Sequence, residues 1–392
     1  MKRPLLLTVA AWAIGAVALR ITLLAPQHCP AVTPSEAFDA ARLAAAWIEA
    51  NQYPDGSYVY EYSIERDIDL PGYNVVRHAG VTMALYQLAA AGDPSVLPTA
   101  DRGLDWMSRN LYRHADWAAL RDPGNGSVRL GATALMLASL LQRRIATDDP
   151  RYDGLMRELA RGMLVLQLPD GAFLNRWDPV ALQPVPGERS KYATGEAFWA
   201  LTLMHRIFPG EGWDAAARRT ARYLADDRDR IENLNYPPWA DQWAAYGFGE
   251  MASWGLTESD VRYLEALAAR FGLLVRTESA RRDTVLSRLF RGRQARAAGM
   301  GTWGEGLAGL RQAADADPRL AHLRPAIDER LACVAGMLRD RQVSGTRAAA
   351  APAPVRATGA WFTEGVTRMD DQQHALSALL LASLILSGKD PP

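Results

Sequence analysis

Cysteine is nearly absent. Cys29 and Cys333 are the only two in 392 residues, too few for a disulfide framework or a thiolate metal cage, and sequence alone leaves open whether they pair. Histidine is scarce too, at positions 28, 78, 114, 205, 322 and 374 with no ligand spacing, so no metal site is expected. Net charge is missing: 44 basic and 44 acidic residues cancel, which removes a global pull toward nucleic acid and leaves any charge logic local. The chain also lacks a G-x-S-x-G elbow and a P-loop. "GFGEMA" and "GEGLAG" mimic a dinucleotide fingerprint, but neither follows a strand, so no cofactor is expected. Period-two alternation is almost nowhere present, which excludes a β architecture.

The long apolar run at the N-terminus is Leu5 to Leu19, preceded by Lys2-Arg3 and followed by Arg20. Residues 1–30 therefore read as a membrane anchor or signal segment. The basic end stays inside, and the remaining domain is placed in the periplasm or outside the cell, anchored to the inner membrane. "AVA" at 16–18 gives the alternative of a cleaved signal and a secreted protein.

Beyond residue 34, apolar-periodic segments of two kinds alternate, six of each. One kind is apolar nearly all round, as in "RLGATALMLASLLQRR" (129–144) and "DDQQHALSALLLASLIL" (370–386), and belongs inside. The other carries charge on one face, as in "SEAFDAARLAAAWIEANQ" (35–52) and "RLAHLRPAIDERLACVAGMLRDRQ" (319–342), and belongs outside. Length alone allows two or three domains. A strict alternation with a period of roughly 50 to 70 residues instead reads as stacked helical hairpins. The unpaired first outer and last inner helices can meet and close the ring. The fold expected over residues 31–392 is thus one all-α domain, a closed (α/α)6 toroid. Inner-to-outer connections are short, whereas outer-to-inner connections are long and gather with the inner-helix N-termini at one end.

Two of the long loops open alike, "QYPDGSYVYEY" and "QLPDGAFLNRW", and a looser copy is "TGAWFTEG". Pro-Asp-Gly is a turn signal, and the following aromatic can pack back into the ring. With these turns, the alternation and the helix starts "YATGEAFWAL" and "GTWGEG", the chain resembles the six-hairpin toroids shared by many glycosidases, polysaccharide lyases and sugar epimerases, and more distantly by terpenoid cyclases. "RMDDQQ" falls short of the D-x-D-D run of the last group. The resemblance implies a ligand funnel at the inner-helix N-termini.

Carboxylates stand at those helix starts: Glu196, Asp241, Glu250, Glu305, Asp370 and Asp371. Acids converging on one cavity suit glycosidic cleavage, which needs one protonated carboxyl and one ionised. Glu196 and Glu305 are the expected acid and base, with Asp241 the alternative. Aromatics for stacking sugar rings accompany them: Tyr192, Trp243 beside Gln242, Trp303, and Tyr58 on the first long loop. Arg77 and His78 sit in the first turn of the first inner helix, where cations are disfavoured. Arg129 and Arg368 open two more inner helices. His374 follows Asp370 by one turn, close enough for that acid to orient it. These cations are expected to meet an anionic substrate group such as a uronate, phosphate or sulfate, the alternative being that they pair with nearby acids inside the mouth. The arginine-rich "RRDTVLSRLFRGRQAR" (281–296) reads as a flap over an anionic polymer, a membrane-facing patch or a solvated charge run.

The function expected is a membrane-anchored, extracytoplasmic, glycoside hydrolase-like enzyme acting on an envelope or exported, anionic polysaccharide. Two alternatives stay open. One is a lyase or epimerase using Tyr192 or His78 as base with Arg77. The other is a non-catalytic toroid that binds a glycan or protein within envelope polysaccharide machinery.

Overall fold

The computed structural model of the protein describes residues 2–22, 25–236, 238–282 and 284–391. Its helices in chain order are α1 (Lys2–Thr22), α2 (Pro34–Ala50), α3 (Val75–Ala90), α4 (Leu97–Arg109), α5 (Leu130–Thr147), α6 (Asp153–Leu164), α7 (Ala193–Ile207), α8 (Trp213–Arg222), α9 (Arg228–Ile231), α10 (Gln242–Met251), α11 (Glu258–Ser279), α12 (Val285–Arg291), α13 (Ala297–Ala316), α14 (Arg324–Arg341), α15 (Gly345–Ala349), α16 (Pro354–Ala357) and α17 (Met369–Leu386).

Six of these, α3, α5, α7, α10, α13 and α17, form the inner ring. Each packs on the next, and α17 returns to α3. Their sequences carry apolar or small residues on every side. In α5, all side chains from Leu130 to Arg143 are buried, as expected of a helix enclosed all round. Small residues set the spacing: a side chain at Gly304 would collide with Ala378, so α13 approaches α17 closely there. The outer helices α2, α4, α6, α8, α11 and α14 cover the ring, and α2 lies against α17, which is the expected closure of first outer on last inner helix. A π-turn at Tyr223–Asp227 bends the fourth outer helix between α8 and α9.

Helix starts are specified locally. Thr33 and Glu36 form a reciprocal capping box on α2, Asn74 accepts from the N–H groups of Val76 and Arg77 at the start of α3, and Thr257 with Asp260 caps α11. The long loops carry short antiparallel strands that periodicity did not announce. Glu61–Ser63 pairs with both Ile68–Leu70 and Val366–Arg368, so first and last long loops are stitched together at the mouth.

The turns beginning with Gln-x-Pro-Asp-Gly turn out to be clasps between outer helices. Gln52 donates to the Thr99 carbonyl of α4, and Gly56, at φ +91°, lies against the Arg102 carbonyl. Gln167 donates to the Ala216 carbonyl of α8, and Gly171, at φ +93°, lies against the Arg219 carbonyl. The looser copy does the same: Gln342 donates to Ala40 of α2, and Gly359, at φ +90°, lies on Leu43. Two residues after each glycine, Tyr58, Phe173 and Trp361 are buried.

Cys29 and Cys333 form a disulfide that holds the segment after α1 onto α14. No helix among the described residues is long and apolar enough to cross a membrane. α1 nevertheless displays Leu5, Leu6, Leu7, Trp12 and Ile14 to solvent, each at least two-thirds exposed.

Candidate active site

All six inner helices run the same way, so their N-termini surround one funnel of about 670 Å³. Each contributes to its wall: Arg77 from α3, Gly131 from α5, Glu196 from α7, Trp243 from α10, Trp303 from α13 and His374 from α17.

Glu196, one turn into α7, is 5% exposed. Burial, and then the neighbouring Asp241 charge, push its carboxyl up to about 8, while His374 acts in the opposite sense. It is therefore protonated at neutral pH. Gly131 on the adjacent α5 makes room for it, since a Cβ there would collide with Oε2.

Glu305 is not at the mouth. The fifth inner helix starts at Ala297 rather than Gly301, so Glu305 lies two turns down, fully buried and behind the funnel wall. From there it bonds His374 Nδ1 through Oε2 at 2.7 Å. Burial alone would push the His374 pKa down, but the charge and hydrogen bond of Glu305 outweigh it and the net shift is upward. Nδ1 is thus committed, which leaves Nε2 for the funnel. The expected partner of His374, Asp370, instead forms an ion pair with Arg77 at 3.2 Å across the mouth, and both line the funnel.

Asp241 is fully buried. It caps α10 by accepting from the N–H groups of Trp243 and Ala244 and pairs with the equally buried Arg228, which also donates to Tyr263. No Asp241 oxygen is left to face a substrate, a correction to its candidacy as acid or base. Glu250 likewise falls at the far end of α10, beside Arg206.

The basic residues of the first turn separate. Arg77 is engaged with Asp370 and with the Tyr60 hydroxyl at 2.8 Å, the mixed-charge network rather than a free anion receptor. His78 is fully buried. Its Nε2–H donates to the Gly103 carbonyl at 2.9 Å, its Nδ1 accepts from the Tyr73 hydroxyl at 2.6 Å, and it stacks on Trp106. Burial drives its pKa down to about 4. A neutral imidazole answers how a histidine tolerates the positive end of a helix. It faces neither funnel nor ligand, and neither does Tyr58, whose hydroxyl meets Thr82 inside the ring.

Two other expected binding residues also find protein partners. Arg368 pairs with Glu61 at 3.1 Å, and Asp371 is buried against Arg296 at 2.6 Å; both lie outside the funnel wall. Arg129, Tyr192, Gln242, Trp243 and Trp303 do line it. Tyr192 packs edge-on against Trp239. Burial first, then Asp241 and Glu196, push its phenol up, which opposes use as a base. Asn74, Asn175, Trp239, Thr302 and Gln373 also line the wall; sequence assigned them no binding role, because polar residues near helix starts are ordinary caps and Trp239 lies in a loop with no periodic pattern. Among the described residues there is no cluster of metal-ligating side chains.

The fold, with its funnel at the inner-helix N-termini, is a six-hairpin (α/α)6 toroid. Solved structures with this architecture include the GH76A alpha-1,6-mannanase of Salegentibacter sp., an inactive variant of which was solved with alpha-1,6-mannotriose: 13% identity, TM-score 0.61, covering 89% of this chain and 99% of that one. The GH76 alpha-mannanase of Bacteroides thetaiotaomicron is similar at 9% identity and TM-score 0.59, covering 88% and 95%. The cellobiose 2-epimerase of Spirochaeta thermophila matches at 13% identity and TM-score 0.60, covering 91% and 98%. No protein-family model matches the chain, and no curated protein matches it. At these identities the likeness is one of fold.

Proposed function

We propose that this protein is a carbohydrate-active enzyme of the glycoside hydrolase type, acting outside the cytoplasm on an envelope or exported polysaccharide. The observation that carries the reading is Glu196: a carboxyl kept protonated by burial, at the wall of a funnel that also holds the Asp370 carboxylate on another inner helix. In this reading Glu196 donates its proton to the glycosidic oxygen as the bond breaks. Asp370, on the facing helix and bridged to Arg77, acts on water or on the anomeric carbon. Trp303, half-buried in the funnel wall, offers a face to a sugar ring, and Trp243, buried against Trp199 and Tyr246, backs the wall. The mannanases and the epimerase that share this fold support a saccharide in the funnel.

The Glu305–His374 pair favours a second reading. A histidine whose Nδ1 is held by a buried carboxylate is built to move a proton at Nε2, as removal of a proton beside a carbonyl in an epimerase or lyase requires. The two readings part in one experiment. Incubation of polysaccharides in D₂O, followed by reducing-end assay and NMR, should give new reducing ends with neither deuterium on carbon nor an unsaturated sugar for a hydrolase. Deuterium on carbon, the mark of an epimerase, or an unsaturated non-reducing end, the mark of a lyase, would transfer the assignment to His374. Saturable binding with neither product would leave a glycan-binding toroid and end the enzyme reading.

The location outside the cytoplasm rests on two supports. A disulfide persists in oxidising compartments, and α1 projects apolar residues that nothing in the domain covers; we assign it as a membrane anchor, as the basic–apolar order of residues 2–20 suggests.

A further inference from the structure

A second cavity, of about 980 Å³, opens on the same end of the ring, between the starts of α13 and α17 and the ends of α11 and α14. Its wall holds eight arginines, among them Arg282, Arg293, Arg296, Arg347 and Arg368, against one acid, Glu364. Three further carboxylates reach these guanidinia from outside the wall. Glu278 serves both Arg281 and Arg341, Asp371 serves Arg296, and Glu61 serves Arg368. Among the described residues, Arg282 and Arg347 meet no carboxylate and bond backbone carbonyls instead, Arg282 those of Pro26, Ser279 and Arg281, Arg347 those of Asp340 and Gln342. Arg293 meets Glu364 at 3.4 Å with both side chains largely in solvent, an arrangement worth little on its own. In a chain whose total charge is zero, such a concentration on one concave surface focuses a strong local potential.

The cavity and the funnel share the same two helix starts. Arg296 and Ala297 face the cavity while Ala298 and Gly299 face the funnel; Arg368 faces the cavity while Asp370 faces the funnel. A chain leaving the funnel over the α13–α17 seam therefore arrives among the arginines. Phe362 in the cavity wall adds an apolar surface of the kind a sugar ring covers.

We propose that this cavity is an accessory subsite for a polyanionic glycan, one whose repeating units carry carboxylate, sulfate or phosphate groups, with the adjoining segment of the same chain in the funnel. This rests on the reading of the funnel as a saccharide site and adds the charge class of the substrate. Planar guanidinia suit all three anions, since each can be held by two parallel N–H bonds.

The test uses the full chain and measures binding by calorimetry to oligogalacturonate of about ten units, to its fully methyl-esterified and hence neutral counterpart, and to dextran sulfate. The wild-type protein should bind at least one charged chain about tenfold or more tightly than the neutral chain, with steep salt dependence. Arg293→Ala with Arg347→Ala should weaken the charged chain by at least about tenfold and leave the neutral one unchanged, and the lysine versions should restore part of the loss. Which charged probe responds distinguishes carboxylate from sulfate recognition. Equal affinity for charged and neutral chains, or equal loss on both in the double variant, overturns the proposal. So does a double variant that loses only binding to vesicles of phosphatidylglycerol, which would make the cavity a lipid-facing patch beside α12, the helix that touches α1. In Glu196→Gln protein the charged-chain preference should persist, so a failure of the catalytic assignment and a failure of this subsite give different results.

Discussion

Glu196 is a carboxyl whose value lies in being uncharged. A carboxyl with an ordinary pKa of 4.5 is pushed to about 8 here, so between those two pH values the folded protein holds a proton that the unfolded chain releases. Stability consequently falls as pH rises through that window, by at most ~1.4 kcal/mol per unit, and levels off above it. Glu196→Gln should flatten this dependence in urea-unfolding measurements between pH 5 and 9; an unchanged slope would place the proton elsewhere. In the proposed hydrolase reading, the same proton sets catalysis. Turnover in the wild type should decline above about pH 8, and Glu196→Gln should lose activity by at least about 100-fold while unfolding no more easily. His374→Asn should lower kcat as well. Glu305→Gln should act through His374, shifting the pH limb that His374 contributes while leaving KM nearly unchanged, since Glu305 cannot touch a ligand from behind the wall. Of these residues, Glu196 was legible in sequence from its place one turn into an apolar helix. The depth of Glu305 was not: "AAGMGTWGEG" is rich in small residues, and nothing in it marks Ala297 rather than Gly301 as the start, a shift of one turn that decides whether an acid faces solvent or the ring axis. The bond from Glu305 to His374 joins residues 69 apart, a pairing that no local spacing encodes.

At the scale of elements, the alternation of apolar and amphipathic helices follows directly from the 3.6-residue period, which is why the six hairpins were readable before any contact was known. What periodicity does not report is how a helix end is used. Asp241 looked like one more acid at a helix start, yet the bend after the π-turn brings Arg228 beneath it, and the two charges are buried together. Removing one partner of such a pair strands the other, at a cost of about 3–5 kcal/mol. Asp241→Asn should therefore lower stability by that order in urea unfolding; on the acid side any loss of turnover should track the folded fraction, while the Glu196 limb moves to lower pH because the Asp241 charge that helps hold its proton is gone. An Asp241→Asn protein of normal stability and no activity would return Asp241 to the list of reacting groups. The clasps give a second check on element scale. Gly56 and Gly171 have positive φ, and a side chain on either would strike a neighbouring helix carbonyl, so each Gly→Ala change should cost about 1–3 kcal/mol. Gly154→Ala, in the exposed first turn of α6 with nothing within 4 Å, should instead be neutral or stabilising. Equal effects at all three sites would mean that the clasps do not tie the outer helices.

For the whole molecule, closure is the property from which the funnel follows, because only a closed ring with all inner helices in one polarity brings six N-termini to one place. The seam of that ring lies where α17 meets α3 and α2. Three devices lock it: the strand pairing of Glu61–Ser63 with Val366–Arg368, the Gln342 clasp on α2, and the disulfide between Cys29 and Cys333, which spans 304 residues. A crosslink over so long a loop removes much of the freedom of the unfolded chain, with a typical effect of about 2–5 kcal/mol. Reduction, or the Cys29→Ser and Cys333→Ser double change, should therefore lower the melting temperature substantially. Because Cys333 sits on an outer helix away from the funnel wall, turnover per folded molecule should not change at 25 °C. Comparing melting with and without reductant against the double variant separates the two contributions: reductant should shift the wild type down to the variant and leave the variant where it is. If the reduced protein melts like the oxidised one, the ring is held shut by its helix packing and strand seam alone, and the disulfide marks only the compartment in which the chain folds.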